Sequence, residues 1–231
     1  MKTIGLIGGM SWESTIPYYR IINQTVKQKL GGFHSAKVVL VSVDFHEIEA
    51  LQRAGDWDGA ADILVAAARS LQAAGADFLV IYTNTMHKVA KAIEDAVALP
   101  LFHIADPTAH EIKRQGIQKI GLLGTRFTME QDFYKQRLQI QHGLEVVVPI
   151  SEDMDIVHRI IYHELCLGKI EDASRQEYRR IMQELVEQGA QGIILGCTEI
   201  SLLVSAADAS VPLFDTTGLH ASKAAEFALD E

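Results

Sequence analysis

At 231 residues, with 48% hydrophobic residues and a formal net charge of -9, the chain is long enough for one large or two modest domains around a well-buried core. The acidic balance disfavours nucleic acid or an anionic membrane surface as partner, because neither would meet a broad positive field. A small charged substrate stays open, since a local pocket can oppose the net sign.

The opening residues, MKTIGLIGGMSWEST, lack the long apolar stretch and cleavage site of a secretory signal. No later run approaches the roughly 18 apolar residues of a membrane span. The two cysteines, Cys166 and Cys197, form no CxxC pair and resemble neither a secreted disulfide framework nor a zinc site. Cytosol is the expected compartment.

In chain order, Thr3 to Ile7 reads as a strand and is followed by the loop Gly8 to Thr15. Val38 to Val43 reads as a second strand, Ala60 to Ala74 as a helix, and Phe78 to Ile81 as a third strand leading into Thr83 to His87. The pattern then begins again. Ile120 to Leu123 is a strand followed by the loop Gly124 to Thr128, Val146 to Val148 is a strand, Arg175 to Gln188 is a helix, and Ile193 to Leu195 is a strand leading into Cys197 to Ser201. Gly75 and Gly189 stand where each helix would end. Strands of apolar character alternating with helical stretches predict βαβ units and parallel sheets.

Three segment pairs show a duplication. KTIGLIGGMSWEST aligns with QKIGLLGTRFTMEQ, GADFLVIYTNT with GAQGIILGCTE, and LPLFHIADPT with VPLFDTTGLH. Their anchors, Gly5 with Gly121, Thr83 with Cys197 and Pro100 with Pro212, lie 116, 114 and 112 positions apart. Anchors at so steady an offset predict an α/β protein of two pseudosymmetric lobes, each a parallel sheet flanked by helices. The lobes are expected at residues 1–99 with 211–231, and at residues 100–210. Ligands of parallel sheets bind beyond the carboxyl ends of the strands, so the active site is expected in the cleft between lobes, with Thr83 and Cys197 on opposite sides of one ligand.

The chemistry of those loops is polar and small. Cys197 sits where a strand hands over to a helix, a position at which backbone N–H groups can stabilise a thiolate; a small buried hydrophobe is the alternative reading. Cys166, in IIYHELCLG, reads as packing. Ser11, Asn84, Thr85, Thr125, Thr128 and Thr198 recur at the strand ends, where they could hold a carboxylate or merely cap helices. Gly5, Gly8 and Gly9 form neither a dinucleotide nor a Walker fingerprint. His46-Glu47 and His163-Glu164 lack the second histidine of a metalloprotease helix, so no metal is expected. His87 could relay protons or be a satisfied histidine, Trp12 and Trp57 read as packing residues, and Arg53 could supply a cation.

Taken together, GLIGGMSWEST, TNTMH, LLGTRFTM and GCTEI resemble the aspartate/glutamate racemase family, which works without pyridoxal phosphate, and the resemblance runs along essentially the whole chain. It implies a cytoplasmic homodimer that needs no cofactor and acts on a small amino acid. Its mechanism would be a two-base one: one cysteine removes the α-proton and a facing cysteine returns one to the other side. The second-lobe cysteine matches Cys197. The first-lobe cysteine falls in the family's C-N-T pattern, which here reads Thr83-Asn84-Thr85. The resemblance further assigns substrate binding to Met10, Ser11, Asn84, Thr85, Thr125, Thr198 and Glu199, and places Gln52 and Arg53 near one side-chain carboxylate position and Cys166 near another.

A threonine hydroxyl is a weak acid that needs activation before it can serve as a base. The expected enzyme is therefore kinetically unequal; the resemblance implies that the second-lobe cysteine handles the L-substrate, so L to D is the expected preference, with interconversion of aspartate, glutamate or both. Two rivals remain at this stage: a single-cysteine decarboxylase of the arylmalonate type, and a noncatalytic module that binds a dicarboxylate.

Overall fold

The computed structural model describes residues 1–230. It divides into two compact units, Met1–Ile104 with the segment beginning at His220, and Ala105–Leu219.

The first unit contains β1 (Ile4–Gly8), α1 (Trp12–Leu30), β2 (Val38–Ser42), α2 (Phe45–Ala54), α3 (Trp57–Ala73), β3 (Phe78–Ile81) and α4 (Ala90–Ala96). Its sheet has the order β2-β1-β3 with both pairings parallel. β1 and β3 are buried at every residue, as strands covered on both faces must be, which explains their unbroken apolar runs. Leu79 and Ile81 face a core with Leu64 and Leu71 of α3. Phe78 and Val80 face the opposite way, toward Tyr18 and Ile22 of α1. Burying each such side chain contributes about 1.5–3 kcal/mol.

The second unit contains α5 (Ala105–Arg114), β4 (Lys119–Gly124), α6 (Arg126–Glu130), α7 (Asp132–Gln136), β5 (Glu145–Val147), α8 (Ser151–His163), α9 (Asp172–Glu187), β6 (Ile193–Gly196), α10 (Ile200–Leu203) and β7 (Leu213–Asp215). The final helix, α11 (Thr216–Leu229), starts in this unit and continues into the first. The second sheet has the order β5-β4-β6-β7, all parallel, and a core in which Leu123, Ile193 and Leu195 meet Val157 and Ile161 of α8 and Tyr178, Ile181 and Leu185 of α9. Among the described residues, no helix is long and apolar enough to cross a membrane.

The repeat extends to small details. β1 and β4 each occupy the position between two parallel neighbours, and each carries a glycine at the same register. A Cβ on Gly5 would lie 2.8 Å from that of Ala76, and one on Gly121 would lie 2.6 Å from Ile193 Cδ1. The helices preceding β3 and β6 each end at a positive-φ glycine, Gly75 at 83° and Gly189 at 93°. Two residues later the backbone returns to the central strand: Asp77 N–H donates to Thr3 O at 2.8 Å and Gln191 N–H to Lys119 O at 2.9 Å.

The chain crosses between units a few residues later than the sequence boundaries. Residues after Pro100 stay with β3, since Leu79 N–H donates to Pro100 O at 2.9 Å and Phe102 N–H to Leu79 O at 2.8 Å. Residues after Val211 stay with the second sheet because β7 pairs with β6. Trp57 packs against the first core, with Lys88 Nζ 3.7 Å from its ring centre. Trp12 does not pack: it is 59% exposed at the first position of α1, contrary to its reading as a packing residue.

Gly9 turns the chain out of β1 at φ 91°, and a Cβ there would lie 2.2 Å from Val43 O. Gly9→Ala should therefore lose about 2–5 kcal/mol of stability, from left-handed strain plus a backbone clash. Gly32→Ala, at φ 55° in open space, should lose only the roughly 1–2 kcal/mol of strain. Urea unfolding of the two variants side by side checks the difference.

Candidate active site

In the first unit, the loops after β1 and β3 leave neighbouring strand ends, because those strands are paired along their length. Met10 and Ser11 are both buried. Ser11 O accepts from Ser14 Oγ at 2.9 Å and from Thr15 Oγ1 at 3.3 Å, while Thr15 Oγ1 accepts from Gly9 N–H at 3.0 Å. The first turn of α1 thus closes on its own entry loop.

After β3, Asn84, Thr85, Met86 and His87 are buried, whereas Thr83 is part-exposed. His87 Nδ1 lies 2.8 Å from Thr83 O. Gln52 of α2 is buried and donates from Nε2 to Met86 Sδ at 3.1 Å, so it belongs to the surroundings of this loop. The adjacent Arg53 points elsewhere: its side chain is 72% exposed and lies 3.7 Å from Glu49. Neighbours on a helix project about 100° apart, which is why one enters the loop and the other meets water.

In the second unit, β4 and β6 end side by side, with Gly124 registered against Gly196. A Cβ on Gly124 would lie 2.8 Å from Gly196 O, so the absence of side chains lets the following residues approach. Thr125 caps α6, its Oγ1 accepting from Thr128 N–H at 3.3 Å and lying 3.2 Å from Thr128 Oγ1. Thr125 and Thr198 are buried at these adjacent strand ends.

Cys197, Thr198 and Glu199 form a hydrogen-bonded group. Cys197 Sγ–H donates to Glu199 Oε2 at 3.0 Å, and Thr198 Oγ1–H donates to the same oxygen at 2.8 Å. All three residues are buried, Glu199 at 2% exposure. Burial first, then the Glu199 charge and the nearby Cys166, push the Cys197 thiol well above its ordinary range. This reverses the expectation of a thiolate stabilised at a strand-to-helix turn. α10 is a single turn of four residues, and the carboxylate two residues away outweighs its backbone.

Two further side chains stand beside this group: Tyr178, which the sequence did not single out, and Cys166, which it read as packing. Tyr178 of α9 is fully buried, and its hydroxyl has no hydrogen-bond partner among the described residues; burial first, then Cys197, raise its pKa well above the usual value. Its only sequence signal is the helical period of the buried face of α9, which marks core rather than chemistry. Cys166 packs against the same core, and its thiol is also raised, by burial and by Glu199. Its reading as packing therefore omits a charged neighbour.

The arrangement gives the second unit a protonated thiol whose proton is already shared with a carboxylate. The first unit presents a hydroxyl on a buttressed loop at the corresponding strand end. Around each stand small donors able to hold a carboxylate.

Comparison with known proteins places these features in context. The family model described as Asp/Glu/Hydantoin racemase matches residues 7–224. A Yersinia pestis protein provisionally described as an Asp/Glu racemase shares 65% identity, with 100% of each chain covered and a TM-score of 0.92. An aspartate racemase homologue from Pyrococcus horikoshii OT3 shares 36% identity, again over 100% of each chain, at a TM-score of 0.84. The broad specificity amino-acid racemase RacX of Bacillus subtilis (strain 168) is 22% identical over 228 residues, covering 93% of this chain and 92% of that protein.

Since Glu199 is the leading charged influence on Cys197, Glu199→Gln should lower the pH at which this thiol ionises and accelerate its alkylation near neutral pH. The measurement is thiolate absorbance and iodoacetamide labelling against pH in a Cys166→Ser background. An unchanged or higher titration point would contradict the electrostatic account.

Proposed function

The chain belongs to the Asp/Glu/hydantoin racemase family, and we propose that it is a cofactor-independent racemase that interconverts the L and D forms of aspartate, glutamate or both. The observation that carries this reading is the unequal pair at equivalent strand ends: a buried thiol bonded to a carboxylate after β6, and a part-exposed threonine after β3. Relatives of this fold include proteins named aspartate racemase and glutamate racemase.

In the proposed reaction Glu199 takes the thiol proton through the existing hydrogen bond, leaving Cys197 as thiolate. That transfer is unfavourable in the free protein, because a thiol is a weaker acid than a carboxylic acid and burial raises this thiol further. An amino-acid substrate changes the balance. Its α-ammonium brings a positive charge that offsets the thiolate, so the base forms when there is a proton to remove. The thiolate then takes the α-proton of the L-substrate and becomes a thiol again. The carbanion is protonated on its other face from the Thr83 side; water restores the threonine proton, and the hydroxide left takes the proton held by Glu199, which closes the cycle.

Ser11, Asn84, Thr85, Thr125 and Thr198 supply neutral donors for the α-carboxylate, with Met10 shaping the first loop. Gln52, bonded to Met86 of the loop after Thr83, is proposed to meet the substrate's second carboxylate, with the exposed Arg53 as a more remote cation. Glu199 serves the ammonium and the thiol, since its charge repels both substrate carboxylates.

Inequality between the two faces confers direction without altering equilibrium. Thr83 is a poor base, so abstraction from a D-substrate is slow, while the equilibrium constant between enantiomers remains one.

Incubation with L-aspartate or L-glutamate in D2O, without pyridoxal phosphate, tests this reading by following the α-proton and product chirality together. Deuterated D-product is expected. Cys197→Ala should reduce α-exchange by about 10²–10⁴-fold, whereas Thr83→Ala should retain exchange into the L-substrate and lose inversion. Wild-type protein that turns over a disubstituted malonate without exchanging amino-acid α-protons would select the decarboxylase instead, and binding without turnover would select the module. The same reading includes a homodimer, checked by light scattering of the purified protein.

A further inference from the structure

We infer that His87 is a positioning residue that fixes Thr83, and not a link in a proton relay. The inference rests on the proposed role of Thr83 and adds the group that holds it in place.

His87 is 3% exposed within the short 3-10 helix Thr85–Val89. Its Nε2 lies 3.2 Å from the Ile104 backbone N. A backbone N–H can only donate, so Nε2 supplies a lone pair and the ring proton resides on Nδ1. That proton is directed to Thr83 O at 2.8 Å. The His87 backbone N–H donates to Asn84 O at 3.2 Å. One residue therefore grips both successive carbonyls of the Thr83-Asn84 segment and ties them to Ile104, the last residue before the chain leaves the first unit. The ring is further confined by His103, with centres 4.3 Å apart, and by His220 at 6.1 Å.

A relay would require Nε2 to receive a proton and Nδ1 to release one. Here the first step displaces a buried backbone N–H and the second takes from the Thr83 carbonyl its imidazole donor, so each step breaks a hydrogen bond already made. Positioning has no such penalty. Fixing the Thr83 carbonyl fixes its peptide plane and Cα, which leaves rotation about χ1 as the main freedom of the hydroxyl. A misplacement of about 1 Å can cost on the order of a hundredfold in rate, so the grip on a part-exposed loop bears directly on reprotonation. Proton removal by Cys197 does not depend on it.

Two substitutions separate the ring's contacts. His87→Asn places an N–H near the Nδ1 position and removes the acceptor, while His87→Gln places an acceptor near Nε2 and removes the donor to Thr83. The readout is the partition, in D2O, between deuterated D-product and deuterated L-substrate. We expect H87N to keep this partition within about threefold of wild type and H87Q to lower it by about tenfold or more, with exchange into the L-substrate persisting. Unchanged partition in H87Q, a lower partition in H87N than in H87Q, or parallel loss of exchange and inversion in both would overturn the inference. Absence of exchange in wild-type protein would instead overturn the racemase reading. The ring's ¹⁵N–¹H correlation spectrum gives a readout free of activity: a proton on Nδ1 is expected, and a ring protonated at Nε2 alone would end the proposal in either case.

Discussion

Parallel pairing in both sheets is the constraint on which the functional parts depend. A parallel strand cannot return by a hairpin, so each repeat must send the chain back through a helix and restart at the same edge. Every strand of a sheet therefore ends on one side, and every loop that follows a strand is delivered there. β1 and β3 bring Met10, Ser11 and the Thr83 segment to a common edge of the first sheet. β4 and β6 bring Thr125 and Cys197 to a common edge of the second. Small, hydrogen-bonding residues at those ends also cap the outgoing turns, so the side chains available to a ligand are partly shaped by the demands of starting a helix.

The frame was legible because its causes are local. Runs such as Phe78 to Ile81 and Ile193 to Leu195 are apolar throughout, and both strands are buried on two faces. Glycine at positions 75 and 189 marks helix ends where φ is positive. The duplication was readable for the same reason, since each repeat solves one packing problem with similar residues. β7 was not anticipated: three residues after a proline carry little period, and their strand character comes from pairing with β6. Trp12 misled because a large aromatic ordinarily signals burial, yet its place at the solvent side of α1 was set by Tyr18 and Ile22, which occupy the buried face.

The residues of the candidate site can be named from sequence, but their electrostatics cannot. Cys197, Thr198 and Glu199 are consecutive, and sequence can propose a role for each, but it cannot give the direction of their side chains. The thiol and the hydroxyl converge on one carboxylate oxygen, and burial first, with that carboxylate second, raises the thiol instead of favouring the thiolate. His87 shows the same limit. Its proximity to Thr83 in sequence is compatible with relay or support, and the Ile104 amide, seventeen positions away, assigns the ring tautomer. Charges and tautomers depend on long-range contacts, whereas strand and helix patterns do not.

The two crossings of the chain affect the order in which the protein can be made. The second unit is one continuous segment, Ala105–Leu219, and can close its core as soon as that segment is available. The first unit is discontinuous. One face of its sheet, bearing Ile4, Leu6, Phe78 and Val80, is packed by Tyr18, Ile22 and Val26 of α1 and by Ala221, Ala224, Ala225 and Ala228 of α11, and α11 follows the second unit along the chain. A nascent chain thus carries this face only partly covered while more than a hundred residues of the second unit are added, a stage at which exposed hydrophobic surface invites association with other chains. The alanines of α11 complete the cover only once the whole second unit has been made.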